Sequence, residues 1–246
     1  MTPRGGVGPI AAQRARNAAL RDQADALAAP HQPAARPLPV IVLPANTRET
    51  TPLPDETREQ FLRHLRLQIT RAFAAPLRDN TAPMSEEDEA MRADAGEIEG
   101  PSADSDALAV GAVLGAACAT CRGECCTAGG THAFLKAASL VRVRANLATS
   151  DGGSPSADAI EAHYAAALPA RHYRGSCVFH ATGGCTLARG LRSNLCNRYL
   201  CGALTQLTRA MAATGEASAF VAAADSVHLR RMALLSPEGA RAIARP

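Results

Sequence analysis

All eight cysteines of this 246-residue chain fall between Cys118 and Cys201, and their spacing constrains the fold more than any other feature. They are Cys118, Cys121, Cys125, Cys126, Cys177, Cys185, Cys196 and Cys201. The first four form a C-x-x-C-x-x-x-C-C group, and the last four follow beyond residues 127–176. Thiolates at this density are the usual ligands of zinc and of iron–sulfur clusters. Two residues between Cys118 and Cys121 let both sulfurs face one metal from a single turn. Adjacent side chains tend to diverge, so the Cys125–Cys126 doublet suits two neighbouring metals, or a cluster beside a second site. Four plus four thiols make two tetrahedral sites, or one four-iron cluster and a further site. The rival readings are a disulfide framework and inert buried thiols. Confinement of every cysteine to two turn-rich segments favours metal.

Composition places the expected core around the same residues. Hydrophobic residues make up 47% of the chain, but many are alanine, and Trp is absent. Six of the eight Phe and Tyr residues lie at or after Phe134: Phe134, Tyr164, Tyr173, Phe179, Tyr199 and Phe220. Large apolar side chains stabilise a core most through buried area. The expectation is therefore a mainly α, small, loop-rich helical domain organised around two cysteine clusters, over residues 104–240. Residues 1–54, Pro-rich at His31 to Pro54, are expected to be largely disordered, with Val40–Leu43 as an edge strand or docking segment. Residues 55–103 read as a helix plus an acidic linker.

The helix at 55–75 carries Phe61, Leu65, Ile69 and Phe73 on one face. Further helices are expected at 11–29, from Asp106 into Cys118, at 132–147, at 158–168 and at 199–214. Ser218 to Ala223 reads as a strand, and Val227 to Leu235 as a last short helix before a frayed tail. The acidic run at 77–103 reads as a solvated loop or exposed helix.

A net charge of +3 makes no case for nucleic acid. No stretch approaches the length of apolar sequence that a membrane span needs. The N-terminal segment has arginine but no apolar signal-peptide region, so a cytoplasmic, reducing setting is expected, which favours metal over disulfides.

Cys118-Ala-Thr-Cys121-Arg-Gly-Glu-Cys125-Cys126 resembles the signature of the YkgJ-like CxxCxxxCC cysteine-cluster family, a zinc- or iron-chelating domain. Cys177-Val-Phe, Gly184-Cys185-Thr-Leu and Arg192-Ser193-Asn194-Leu195-Cys196 are similar to the family's later elements, and the resemblance spans about residues 115–205. The chain is a divergent member by this comparison: Ser193 stands where the family has Pro, and Asn197 where it has Arg. The resemblance implies metal binding through the eight cysteines, as an iron–sulfur cluster or zinc, and no settled reaction. Flagellin lysine methylases carry a similar cluster, but no glycine-rich nucleotide loop follows a strand here.

Other groups near the cysteines are weaker candidates. His132, His172 and His180 could ligate metal or hydrogen-bond a sulfur. Glu124 reads as a solvated carboxylate. Arg122, Arg189, Arg192 and Arg198 could offset thiolate charge. Two further functional readings stand beside a metalloprotein: a zinc-stabilised interaction module with a protein partner on the 55–75 helix, and a protein-modifying enzyme using the cysteine-bound centre.

Overall fold

The computed structural model describes residues 9–33, 37–74, 105–148 and 153–244. The chain divides into two compact units: Met1–Thr47 with Pro101–Glu124 and Leu200–Pro246, and Arg48–Gly100 with Cys125–Tyr199.

The first unit is a layered α/β structure. Its sheet contains β1 (Val40–Pro44), β6 (Ala219–Ala224), β7 (Leu229–Ser236) and β8 (Gly239–Ile243), in the order β1-β6-β7-β8. β1 runs parallel to β6, with Val40 opposite Phe220 and Leu43 opposite Ala223. The β6–β7 and β7–β8 pairs are antiparallel. Every residue of β6 is buried, so helices must cover both faces. Strand alternation decides which residue faces which helix. Ile41, Leu43, Ala219, Val221, Ala223 and Leu235 share a core with Val113 and Ala117 of α3 (Ser105–Cys121) and Leu204, Leu207 and Met211 of α7 (Gly202–Thr214). Val40, Phe220, Ala222 and Met232 pack with Leu20, Ala24 and Ala28 of α1 (Pro9–Ala28). α7 stops at Gly215, whose left-handed backbone (φ 71°) closes the last turn onto Met211 O.

The second unit has larger core side chains and less regular backbone. α2 (Asp55–Ala74), α4 (Ala137–Asn146) and α5 (Ala157–Ala166) surround Phe61, Leu65, Ile69, Leu140, Ile160, Tyr164 and Phe179. Phe61 meets Phe179 edge-on, with ring centroids 4.9 Å apart. The strands here are short: β2 (Thr50–Pro52) pairs with β3 (Arg171–Tyr173), and β4 (His180–Ala181) with β5 (Gly184–Cys185). α6 (Asn194–Arg198) follows them in the chain. The apolar stripe of α2 at Phe61, Leu65 and Ile69 is buried in this core. Phe73 is partly exposed, with the Arg144 guanidinium 4.4 Å above its ring.

The mainly α expectation is therefore corrected: the fold mixes helices with a four-stranded sheet. The expectation of a largely disordered N-terminal region also fails, because α1, β1 and β2 all lie within residues 9–54. Val227 to Leu235 is not a helix. Leu229–Ser236 is a strand, because pairing with β6 and β8 outweighs the helix propensity of its Leu, Arg and Met residues. The expected frayed tail contains β8. The helix expected at 132–147 starts only at Ala137, since Ala133 and Phe134 have positive φ (48° and 55°). The acidic stretch at 77–103 lies outside the described residues. Among the described residues no helix is long and apolar enough to cross a membrane.

Candidate metal centre

Three of the eight cysteines belong to the first unit. Cys118 and Cys121 sit on the last turn of α3, three residues apart and so on one face. Cys118 is exposed; Cys121 is buried in the core beneath the sheet, against which Cys201, the residue before α7, is also packed. The end of α3 is held tightly. Arg122 and Gly123 turn into the left-handed region (φ 58° and 62°), and the Gly123 N–H donates to Cys118 O at 3.3 Å. The Glu124 N–H donates to the Cys121 sulfur at 3.3 Å. The terminal carbonyls that a helix leaves unpaired are taken up by distant residues. Arg231 of β7 donates to Thr120 O at 2.7 Å and to Cys121 O at 3.1 Å. The buried Asn46 donates its backbone N–H to Cys121 O at 2.9 Å and its side chain to Arg122 O at 3.0 Å. Arg231 closes the set on Asn46 O at 3.0 Å. A cation at the C-terminus of a helix also suits the helix dipole.

The other five cysteines lie in the second unit, brought together from four short segments. Cys125 and Cys126 are on a 3-10 turn (Glu124–Gly129), Cys177 is in the loop after β3, Cys185 ends β5 and Cys196 is on α6. The Cys177 N–H donates to Cys126 O at 3.2 Å, and the Val178 N–H to Gly130 O at 3.0 Å, so the loop after β3 is laced to the 3-10 turn. Gly129 permits this approach: a Cβ there would stand 2.8 Å from Cys177 Cβ and 3.0 Å from its Sγ. Cys185 pairs with His180 across β4–β5. Ser193 caps α6, its hydroxyl accepting the Cys196 N–H at 3.0 Å.

The thiols feel one another. Cys126 is held far above the ordinary thiol range, first by its hydrogen bond with Cys125, then by burial and by the charges of Cys125, Cys177 and Cys185. Burial pushes Cys177 up to about 12; the Phe179 backbone opposes this, and Cys185 and Cys196 add to it. Cys196 is an exposed residue, yet enough protein surrounds its thiol for burial to be the largest force raising its pKa. The Ser193 hydroxyl and the Arg192 charge oppose that force, while Cys185 and Cys125 reinforce it. Burial and the neighbouring thiols thus disfavour ionisation of Cys126, Cys177 and Cys196, because ionising several sulfurs at close quarters is costly. None of the eight is in a disulfide.

Arg192 and Arg142 brace the backbone near the cysteines. Arg192 donates to Leu187 O at 2.9 Å and to Cys185 O at 3.5 Å. Arg142, which the sequence did not mark out, donates to Gly190 O at 3.0 Å, to the Asn194 side chain at 2.8 Å and to Arg192 O. The buried Tyr164 donates to Leu191 O at 2.6 Å. These bonds tie down residues 187–197, a segment with little regular structure of its own.

The three histidines differ. His132 is exposed, its Nδ1 accepting the Phe134 N–H at 2.9 Å; burial, then the facing His64, lowers its pKa. His180 is buried, with Nδ1 2.7 Å from Ser176 Oγ and its ring against Tyr173. His172 is buried on β3, and its Nδ1 has no hydrogen-bond partner. Burial lowers its pKa, while a hydrogen bond to the Cys177 backbone works against that.

Among the described residues no three His, Cys, Asp or Glu side chains already stand in an arrangement that could hold a metal ion. The donor chemistry fits a thiophilic metal: soft sulfurs, partly desolvated, whose mutual repulsion on ionising a bound cation would relieve. A buried imidazole nitrogen without a partner lies on a neighbouring strand. Comparison with known proteins gives no match to a family model, to a curated protein or to a solved structure.

Proposed function

We propose that this chain is a metal-binding protein that holds zinc or an iron–sulfur cluster through cysteine thiolates. Cys125, Cys126, Cys177, Cys185 and Cys196 form the group that carries the reading, and Cys118, Cys121 and Cys201 are the remaining thiols of the set. The supporting observation is convergence: cysteines from four segments of one unit help raise the thiol pKa values of Cys126, Cys177 and Cys196. Inert core thiols have no reason to gather this way in a unit whose core is otherwise built from Phe, Leu, Ile and Tyr. The resemblance to the cysteine-cluster family points to the same chemistry.

Metal binding here would be coupled to proton release, because only thiolates ligate and the thiols of Cys126, Cys177 and Cys196 have raised pKa values. Sites of this kind complete their geometry as the ion enters. The group's contribution would be a fixed cross-link among loops with few backbone hydrogen bonds and, if it is iron–sulfur, electron transfer as well. The residues themselves position sulfur: Gly129 admits Cys177, Ser193 orients α6, and Arg142 and Arg192 brace the loop leading to Cys196.

Anaerobic purification of the full chain, with an absorption spectrum and assays for iron, zinc and acid-labile sulfide, tests the reading. Brown protein with matched iron and sulfide identifies a cluster; colourless protein with about one or two zinc ions per chain identifies thiolate zinc sites. Protein that takes up neither, with all its thiols open to reagent in the native state, refutes it.

A further inference from the structure

We infer that His132 is a pH-sensitive latch on the turn that follows the first cysteine group: the neutral imidazole holds the turn closed, and the imidazolium releases it. The inference stands apart from the thiolate reading and concerns how this turn responds to acid.

Residues 129–136 fold back tightly. The His132 and Ala133 N–H groups donate to Gly129 O at 3.2 and 2.8 Å, and the Leu135 N–H donates to His132 O at 2.8 Å. Ala133 and Phe134 are both left-handed (φ 48° and 55°), and neither is glycine. Such backbone costs energy and persists only where its surroundings hold it. α2 supplies one hold. His64 Nε2 lies 2.9 Å from Leu135 O, and since a carbonyl only accepts, that nitrogen carries hydrogen. This bond survives protonation of His64. His132 supplies the other hold. The Phe134 N–H donates to His132 Nδ1 at 2.9 Å, which fixes the tautomer: Nδ1 offers its lone pair, and the hydrogen is on Nε2. Protonation of His132 puts a hydrogen on Nδ1 as well. Two donors then face each other, and the bond is lost. The other bonds of this turn end on carbonyl oxygens, which do not titrate, so acid acts on the Phe134 bond alone.

The surroundings oppose the charged ring. The His64 ring of α2 faces it, with centroids 6.3 Å apart, and the Phe134 ring meets it edge-on at 5.1 Å. Burial, then His64, lowers its pKa from the ordinary 6.5, and no carboxylate is among the groups that shift it. Lys136, the charged side chain nearest along the chain, is exposed. A depressed folded-state pKa gives stability above the unfolded value that is lost as pH falls. The latch is therefore closed above pH 6.5 and opens as pH drops below it. The same turn carries Gly129, which packs against Cys177, so opening it loosens the backbone beside that thiol.

The test follows the Phe134 amide and the His132 ring protons of the full chain, as purified, by NMR between about pH 7.5 and pH 5. In wild type the amide resonance should leave its hydrogen-bonded position along the same curve as the ring, with a midpoint below 6.5. His132→Asn removes the titration but keeps an acceptor, because an Asn side chain readily accepts the N–H two residues on. Its Phe134 amide should not move with pH. His132→Phe should show the released amide at every pH, and His64→Gln should raise the midpoint of His132. An amide that stays in place while the ring titrates, or one that moves equally in His132→Asn, overturns the inference. The wild-type titration decides the matter even if a variant misfolds.

Discussion

The two units solve the problem of backbone order differently. In the first, long-range order comes from a sheet whose strands alternate between two helical layers, and much of its interior is alanine. Regular ladders satisfy most of the backbone, and outside the Arg231 and Asn46 clamp on α3 the side chains mainly fill space. The second unit contains β strands of two or three residues, 3-10 turns and a loop at 187–193. There, side chains must bond backbone, as Arg142, Arg192, Tyr164 and Asn197 do. A unit braced in this way gains most from a metal cross-link, and it is the unit that holds five of the eight thiols.

The strongest way to break this contrast is to open each core. Phe61→Ala should cost about 3–5 kcal/mol in urea unfolding, since Phe61 is fully buried against Phe179 and Tyr164. Metal content per chain should fall with it. Phe220→Ala, on the α1 face of the first unit's sheet, should cost a similar amount yet leave metal content per folded chain unchanged. Equal metal loss in both variants would erase the distinction.

Next in size is the clamp on α3. Arg231→Ala removes three donors from the carbonyls of Asn46, Thr120 and Cys121 and should cost about 2–3 kcal/mol in thermal unfolding. Arg231→Lys, whose compact ammonium lacks the planar fork of the guanidinium, should recover only part of that. Full recovery would mean that charge at the helix end, not the fork of hydrogen bonds, is what matters.

Gly129→Ala should cost about 1–3 kcal/mol, because its new Cβ would crowd Cys177. It should also lower Zn(II) affinity, measured by competition with a chelator. Stability lost with affinity unchanged would show that Cys177 can move without harm to the site.

The smallest effect is electrostatic and belongs to the first unit. Asp225 accepts the Val227 and His228 N–H groups at 2.8 and 2.7 Å and pairs with Arg230, in the turn between β6 and β7. The His228 and Val227 amides foremost, with Arg230 assisting, hold its carboxyl at about 2, below the ordinary 3.8. A depressed folded-state pKa stabilises the fold above the unfolded value and loses that contribution as pH falls toward 2. Asp225→Asn should therefore flatten the fall in melting temperature between about pH 4 and pH 2. An unchanged profile would remove Asp225 from the acid response.

Much of the local structure was legible from the residues. The Val40–Leu43 segment speaks through its unbroken run of apolar residues, and the apolar face of α2 through its period. The sheet was not legible. β6 reads as a strand at Ser218 to Ala223, but β7 is rich in helix formers and is a strand because it pairs with β6 and β8. That information sits in residues far apart, with β1 and β6 separated by most of the chain. At the candidate site, the cysteines announce themselves by spacing. Their supports do not: Gly129 looks like one turn glycine among many, Arg142 like a surface cation of a helix, and Asn46 and Arg231 like unrelated polar residues. Only the fold reveals that each meets a cysteine-bearing segment.

The most direct measurement compares the metal content of the anaerobically purified full chain with that of Cys126→Ser/Cys177→Ser/Cys185→Ser. Stoichiometric zinc, or iron with matching sulfide, in the wild type and its loss in a variant that retains its far-ultraviolet dichroism is the expected result. Metal retained by the triple variant, or absent from a wild type whose eight thiols all react in the native state, would contradict it.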